Sequence, residues 1–291
     1  MTHPDKTDKT DKTGKAGTAG VRRPGFPVQM ACDALVTTGL TNATKIIAAK
    51  AVRIETKPLK EVDSNRLPQS TQVSAGFTAV RHKMVLQLAR HGVTNTRVLA
   101  AMSSVERHRF VDSALASQAY VDTSLPIGLG QTISKPNVVA RMLELLFAAS
   151  CDSPGKLGRV LEIGTGCGYQ AALLSHLADE VYSMERLRGL HEKAIENLRF
   201  LRLPNVHLLF GDGMLGYSRG APYAAIIAAA GGSEIPQAWT DQLAVGGRLV
   251  APVHTKPGEQ ALVLYEKTTR GIARTMLEAV SFVPLKSGIG A

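Results

Sequence analysis

The sequence predicts an α/β fold, a doubly wound sheet of about seven strands behind an N-terminal helical cap. Two observations carry this. From Arg159 onward, short apolar runs alternate with stretches of helical spacing, and the first of those runs ends in the glycine-rich turn Gly164-Thr165-Gly166-Cys167-Gly168. Upstream, Phe77, Val80, Met84, Val85 and Leu88 recur at the spacing of a helix, with Gly92 as the stop.

The chain before Phe77 is expected to lie outside the core. Asp-Lys-Thr occurs three times in succession over residues 5–13, in a stretch with too few apolar residues to fold, so this part is expected to be disordered. Residues 21–76, with prolines at 24, 27, 58 and 68, read as a linker. The expected division is a basic tail and linker over 1–76 and a catalytic domain over 77–291. Within the domain, a second short helix is expected over Asn95–Met102, and a third from about Ser134 to Leu146. Ser134 takes the N-cap place there and Pro136 the first turn.

The alternation then gives strands over Arg159–Ile163, Val181–Glu185, Val206–Phe210, Tyr223–Ala228 and Arg248–Val253, and later over Ala261–Glu266 and Ala279–Val283. Helices are expected over Tyr169–Ala178, Leu190–Leu203 and Pro236–Leu243.

Composition narrows the function. No run approaches the ~18 apolar residues of a membrane span, and the polar start lacks the core of a signal peptide. A cytoplasmic protein is expected, with no membrane partner. The three cysteines, Cys32, Cys151 and Cys167, have no CxxC spacing, and the eight histidines are scattered, so reduced thiols and no metal are expected. The net charge of +10 is spread, with +5 in residues 1–80 and the rest over the remainder. Diffuse charge of this kind argues for a solvated surface and against a specific nucleic-acid site.

The glycine turn follows the apolar run Val160-Leu161-Glu162-Ile163 and opens a helix at Tyr169. Glycines allow close approach of a ligand to backbone, and helix-start N–H groups favour an anion. The spacing is GxGxG, where dinucleotide sites favour GxGxxG, and Glu162 stands two residues earlier, placed to help hold an ammonium. This combination favours S-adenosylmethionine, although a glycine turn alone also serves as a plain strand-to-helix connection. Glu185, at the end of the second strand, is placed to accept hydrogen bonds from ribose hydroxyls, and Asp212 in Gly211-Asp212-Gly213 to receive an adenine amino group. Ser134, in Gln131-Thr132-Ile133-Ser134, combines a hydroxyl with a helix start and so forms a candidate cradle for a substrate carboxylate.

The segments RFVDSALASQAYVD and SLPIGLGQTISKPNVVARM, followed in order by VLEIGTGCGYQ, VYSMER, GDG, SEIP, GGRLVAPV and FVPL, resemble the protein-L-isoaspartate O-methyltransferase family over about residues 78–286. The resemblance implies a Rossmann-like class I methyltransferase fold. The implied activity is methyl transfer from S-adenosylmethionine to the free α-carboxylate of L-isoaspartyl residues in damaged proteins. The ester then cyclises to a succinimide, whose hydrolysis returns some normal aspartate.

Carried onto this chain, the resemblance implies that Ser134 contacts the reacting carboxylate and that a loop containing Gly128, Gln131 and Thr132 closes over cofactor and substrate. It implies that Glu162, Gly164, Gly166, Gly168, Glu185, Asp212 and Gly213 hold the cofactor, and that isoaspartyl proteins and peptides are the partners of an expected monomer. Glu106, Cys167, Ala224 and Gly231-Gly232 depart from the family's usual residues, the last two near the expected cofactor pocket. A methyltransferase acting on RNA or a small molecule would keep the glycine turn without needing the QTIS segment. A binding module that no longer turns over would keep the pocket alone.

Overall fold

The computed structural model describes residues 69–147 and 155–290, with backbone alone for residues 69–75. These lie in one compact unit, Ser64–Ala291. The Asp-Lys-Thr repeats, Cys32, Cys151 and residues 21–68 of the linker expected over 21–76 fall outside the described residues, whereas residues 69–76 of that expected linker are helical.

Two helices open this part, α1 (Gln69–Arg90) and α2 (Thr96–Ser104). α1 starts ahead of Phe77, where apolar periodicity first becomes visible. Asn95, expected as a helical residue, instead caps α2, its side chain accepting from the N–H groups of Arg97 and Val98. Met84, Leu88, Val98, Ala101 and Met102 are buried and join the main core.

A hairpin not foreseen in the sequence follows, β1 (Leu125–Gly128) and β2 (Gln131–Ile133). Its turn places Gly128, Leu129 and Gly130 in succession at positive φ, which explains the glycines on either side of Leu129. Next comes α3 (Pro136–Phe147). Ser134 does not cap this helix. The Asp122 carboxylate accepts the Asn137 N–H at 2.8 Å, so a group distant in sequence does what the local serine was expected to do.

The remaining elements are β3 (Leu157–Ile163), α4 (Tyr169–Leu177), β4 (Ala178–Glu185), α5 (Arg188–Arg199), β5 (Val206–Phe210), β6 (Tyr223–Ala228), α6 (Gln237–Gln242), β7 (Leu243–Lys256), β8 (Glu259–Thr268) and β9 (Gly271–Val280). They form one sheet in the order β5-β4-β3-β6-β7-β8-β9. Pairing is parallel from β5 to β7 and antiparallel at β7–β8 and β8–β9. The doubly wound α/β expectation holds, with seven strands in the main sheet.

The last strand differs from the reading of Ala279–Val283. β9 ends at Val280 and is almost wholly exposed, because it is an edge strand paired on one side only, and so its sequence lacks the apolar run that marks a buried strand. The apolar residues just beyond it have another use: Gly231 N–H donates to Val283 O, and Leu285 N–H to Gly231 O, each at 2.8 Å.

The chain winds outward from β3 through β4 to β5, then returns to β6 on the other side of β3. In such a sheet the reversal opens a crevice beyond the carboxyl ends of the central strands, where ligands bind. Here that places a site after Ile163, Glu185 and Ala228.

Candidate active site

A cavity of about 410 Å³ occupies that position, within the ~300–1,000 Å³ typical of small-molecule sites. Its walls include Gly164 and Gly166 after β3, Glu185 at the end of β4, Gly213 after β5 and Ala229 after β6. Leu129, Gln131 and Thr132 of the hairpin form another side, and Val283–Lys286 close the far edge. Most of the remaining lining is apolar, with Ile127, Ile163, Met184, Leu187 and Leu190.

Glu185 is the buried carboxylate of this cavity, 5% exposed. One oxygen accepts the Gly166 N–H and the other the Leu187 N–H, both at 2.9 Å. Each oxygen retains a lone pair after those bonds, which leaves the group fixed in orientation and able to accept two hydroxyl donors side by side. Gly213 has a packing reason to be glycine: an added Cβ would lie 2.6 Å from Ile163 Cγ2.

Four residues expected at the site lie behind its walls. Gly128 sits in the hairpin turn and Gly168 at the start of α4, where a φ of 89° and a Cβ position 3.0 Å from Leu198 Cδ1 both demand glycine. Asp212 ties two loops together, accepting from Met214 N–H at 2.9 Å and Gly288 N–H at 2.6 Å. Glu162 is fully buried and accepts the Ser183 hydroxyl at 2.5 Å, so it lines neither this cavity nor the smaller one beside it. Desolvation pushes its pKa up to about 8, only partly offset by the Ser183 and Gln170 side chains, and at neutral pH it is mainly the neutral acid.

The raised pKa has a signed consequence for stability. Between about pH 5 and pH 8 the folded state holds a proton on Glu162 that the unfolded chain has lost, so this contribution to stability is present at low pH and disappears as pH rises through that window. Glu162→Gln should flatten the slope, raising the melting temperature relative to wild type more at pH 8 than at pH 5. Parallel slopes for the two proteins would show that Glu162 ionises freely in the fold.

Ser134 lies in a smaller space of about 40 Å³ that shares Ile127, Thr132, Gly164, Gly166 and Ala229 with the main cavity. The Ser134 carbonyl accepts from Arg107 Nη2 at 2.8 Å, whereas its hydroxyl makes no hydrogen bond among the described residues. The structure therefore brings together Ser134, Gln131, Thr132, Gly164, Gly166, Glu185 and Gly213.

Sequence reasoning passed over Arg107, Gln170 and the cavity-lining role of Val283–Lys286. Arg107 is fully buried in a 3₁₀ turn and donates to Ala119 O at 2.7 Å as well as to Ser134 O. Nothing local distinguishes it from the exposed Arg109 two residues on. Of the departures from the family's residues, Ala224 lies at the amino end of β6, away from the cavity, contrary to expectation. Gly231 leaves room for Gln260, whose Nε2 would lie 2.7 Å from a Cβ there.

The protein-L-isoaspartate(D-aspartate) O-methyltransferase (PCMT) family matches residues 79–290. A protein-L-isoaspartate O-methyltransferase of Methylibium petroleiphilum is 49% identical over 269 residues, covering 91% of this chain and 96% of the relative. One from Ralstonia nicotianae is 52% identical, covering 86% of this chain and 79% of its own length. Among solved structures, a protein-L-isoaspartate O-methyltransferase superposes with a TM-score of 0.64 at 29% identity, covering 72% of this chain and 67% of that one. A putative protein-L-isoaspartate O-methyltransferase from Plasmodium falciparum, in complex with S-adenosyl-L-homocysteine, superposes with a TM-score of 0.60 at 26% identity, covering 70% of this chain and 97% of the other. With the family matched over most of its length and relatives near half identity along nearly all of it, the chain belongs to the protein-L-isoaspartate(D-aspartate) O-methyltransferase family.

Proposed function

We propose that this chain transfers a methyl group from S-adenosylmethionine to the free α-carboxylate of L-isoaspartyl residues in damaged proteins, initiating their return to aspartate through a succinimide. The observation that carries this reading is the junction of two spaces, a cofactor-sized cavity at the strand switch point and a smaller one where the Ser134 hydroxyl makes no hydrogen bond among the described residues.

The residues present suit the cofactor. Glu185 offers two fixed acceptors for the ribose, the apolar walls suit an adenine ring, and Gly164, Gly166 and Gly213 allow close approach. Glu162, Gly168 and Asp212 support this site from behind by holding its loops, and the Gly128–Thr132 hairpin covers it. When bound, the cofactor supplies an electrophilic methyl group on a sulfonium.

The α-carboxylate, with a reference pKa of about 3.3–3.7, is already an ionised nucleophile at neutral pH. The chain's part is to orient that carboxylate, to line it up with the methyl group and to keep water out. No general base is required, in keeping with the lack of a His–Asp pair in either cavity.

We assign the activity to the part of the chain from α1 onward, acting as a monomer in the cytoplasm. Among the described residues no helix is long and apolar enough to cross a membrane.

The test compares an isoaspartyl peptide, its normal aspartyl isomer and RNA as methyl acceptors. Strong methylation of the first and scarcely any of the others is expected, since the two peptide carboxylates have similar basicity and only position separates them. Ser134→Ala should lower turnover on the isoaspartyl peptide without moving the melting temperature, because Asp122 caps α3. Equal use of both isomers, or full turnover by the variant, would remove Ser134 from its assigned role.

A further inference from the structure

Three positions on one face of α5 touch two walls of the cofactor cavity. Gly189, Lys193 and Asn197 follow one another at intervals of four, which places them in a row along the helix. Asn197 Nδ2 donates to Cys167 O at 2.9 Å and so fixes the glycine turn. The other two face the β1–β2 hairpin. Lys193 Nζ donates to Ile127 O at 2.9 Å, and a Cβ added to Gly189 would lie 3.2 Å from Leu129 Cδ1.

The hairpin needs holding from outside. It is a two-stranded sheet separate from the main one, and two strands alone are marginal in water. Leu125, Ile127 and Ile133 bury its base, whereas Gly128, Leu129 and Gly130 at the tip are exposed. Leu129 has a φ of 51°, which a residue with a side chain keeps only where its surroundings hold it. The Lys193 ammonium reaches the hairpin from another element, is half-buried and makes no ion pair among the described residues. What it grips matters to both spaces of the site: Ile127 and Thr132 line each of them, and Leu129 and Gln131 line the larger. A swing of the tip away from α5 would open the larger cavity and remove those walls.

We propose that Lys193 and Gly189 form a catch on α5 that holds the hairpin closed over the cofactor. The ammonium grips β1 where the buried base gives way to the exposed tip, and the absent side chain at 189 leaves the recess for Leu129. Both are positioning residues that act through the hairpin, and they set how long the nucleoside stays bound. This rests on the cofactor site described above and not on the identity of the methyl acceptor.

The experiment uses the full chain and follows labelled S-adenosylhomocysteine leaving it during a chase with unlabelled ligand, together with Kd by calorimetry and a thermal melt. Lys193→Met keeps length and helix propensity but removes the donor. A hydrogen bond from a charged donor corresponds to a factor of about ten or more, and the apparent Kd rises as the closed fraction falls. Dissociation about tenfold faster, with a weaker Kd, is therefore expected. Lys193→Arg, which restores a charged donor, should return toward the wild-type rate. Gly189→Leu fills the recess and should also speed dissociation, while its melting temperature should be no lower, because leucine outranks glycine in a helix. A purely structural role would move stability and affinity in the same direction.

Lys193→Met or Gly189→Leu dissociating within twofold of wild type, while melting like it, would overturn the catch. So would Lys193→Arg dissociating as fast as Lys193→Met. Should Lys193→Met melt early, Gly189→Leu, which leaves the ammonium in place, decides by the same chase. A wild type that holds S-adenosylhomocysteine but leaves isoaspartyl peptide unmethylated would overturn the reading of the acceptor, whereas the catch stands or falls by these rates.

Discussion

Glu185→Ala is expected to weaken S-adenosylhomocysteine binding roughly 10- to 150-fold. A hydrogen bond to an ionised group contributes about 1.5–3 kcal/mol, and each 1.4 kcal/mol is a factor of ten. The carboxylate is held in place before any ligand arrives, by Gly166 N–H on one oxygen and Leu187 N–H on the other. Its orientation is therefore already paid for in the free protein, and little affinity is lost to ordering it. The variant also frees the Gly166 N–H at the glycine turn, so Glu185→Gln is the informative companion. It keeps one acceptor oxygen and should fall between wild type and alanine. Calorimetric titration giving all three proteins the same Kd would exclude Glu185 from the cofactor site.

Trp239→Ala is expected to lower stability by about 3–5 kcal/mol, as for other buried aromatic residues cut back to alanine. Trp239, on α6, is 1% exposed and belongs to the core cluster of Leu161, Ile163, Met184 and Leu249 on one face of the sheet. Its indole N–H donates to Gly213 O at 2.8 Å, which ties the cavity wall to this core. A loss of that size is a large share of the ~5–15 kcal/mol that stabilises a typical domain. Trp239→Phe separates the two contributions, since it keeps most of the volume but removes the donor to Gly213. Urea titration should give wild type, phenylalanine and alanine in descending order of stability, with cofactor affinity already reduced in the phenylalanine variant. Unchanged affinity there would show that Gly213 holds its position without the indole.

The parts of the site legible in the sequence are those set by local chain geometry. The turn Gly164–Gly168 follows a buried strand and opens a helix, and Glu185 ends the next strand, so their meeting follows from the βαβ arrangement alone. Glu162 and Asp212 were harder to place, because a carboxylate beside a cavity and one turned into the packing behind it have the same sequence signal. Glu162 faces Ser183 of the neighbouring strand in register, and Asp212 faces the Gly288 N–H, both contacts between distant parts of the chain. The cap of α3 failed for the same reason: Ser134 had the right spacing, but Asp122 arrives from an earlier loop. The last strand was placed too late, over Ala279–Val283 against Gly271–Val280, because an exposed edge strand does not need an apolar run. Arg107 and Gln170 are distinguished only by their burial beside the smaller cavity, a property that exists only once the chain is folded.

Because β3, β4, β5 and β6 run parallel, the cavity-lining residues at their ends gather on one rim of the sheet, and the connections that lead back into these strands lie on the opposite rim. The connection from α5 into β5 is such a place. Arg202 is exposed there at a φ of 49°, and the Asn205 side chain pins the return by donating to Ser175 O and Ala178 O. A fluorophore or surface tether attached at Arg202 would report on or immobilise the protein from the rim remote from catalysis, leaving the hairpin and the Val283–Lys286 edge free to admit a bulky, damaged polypeptide.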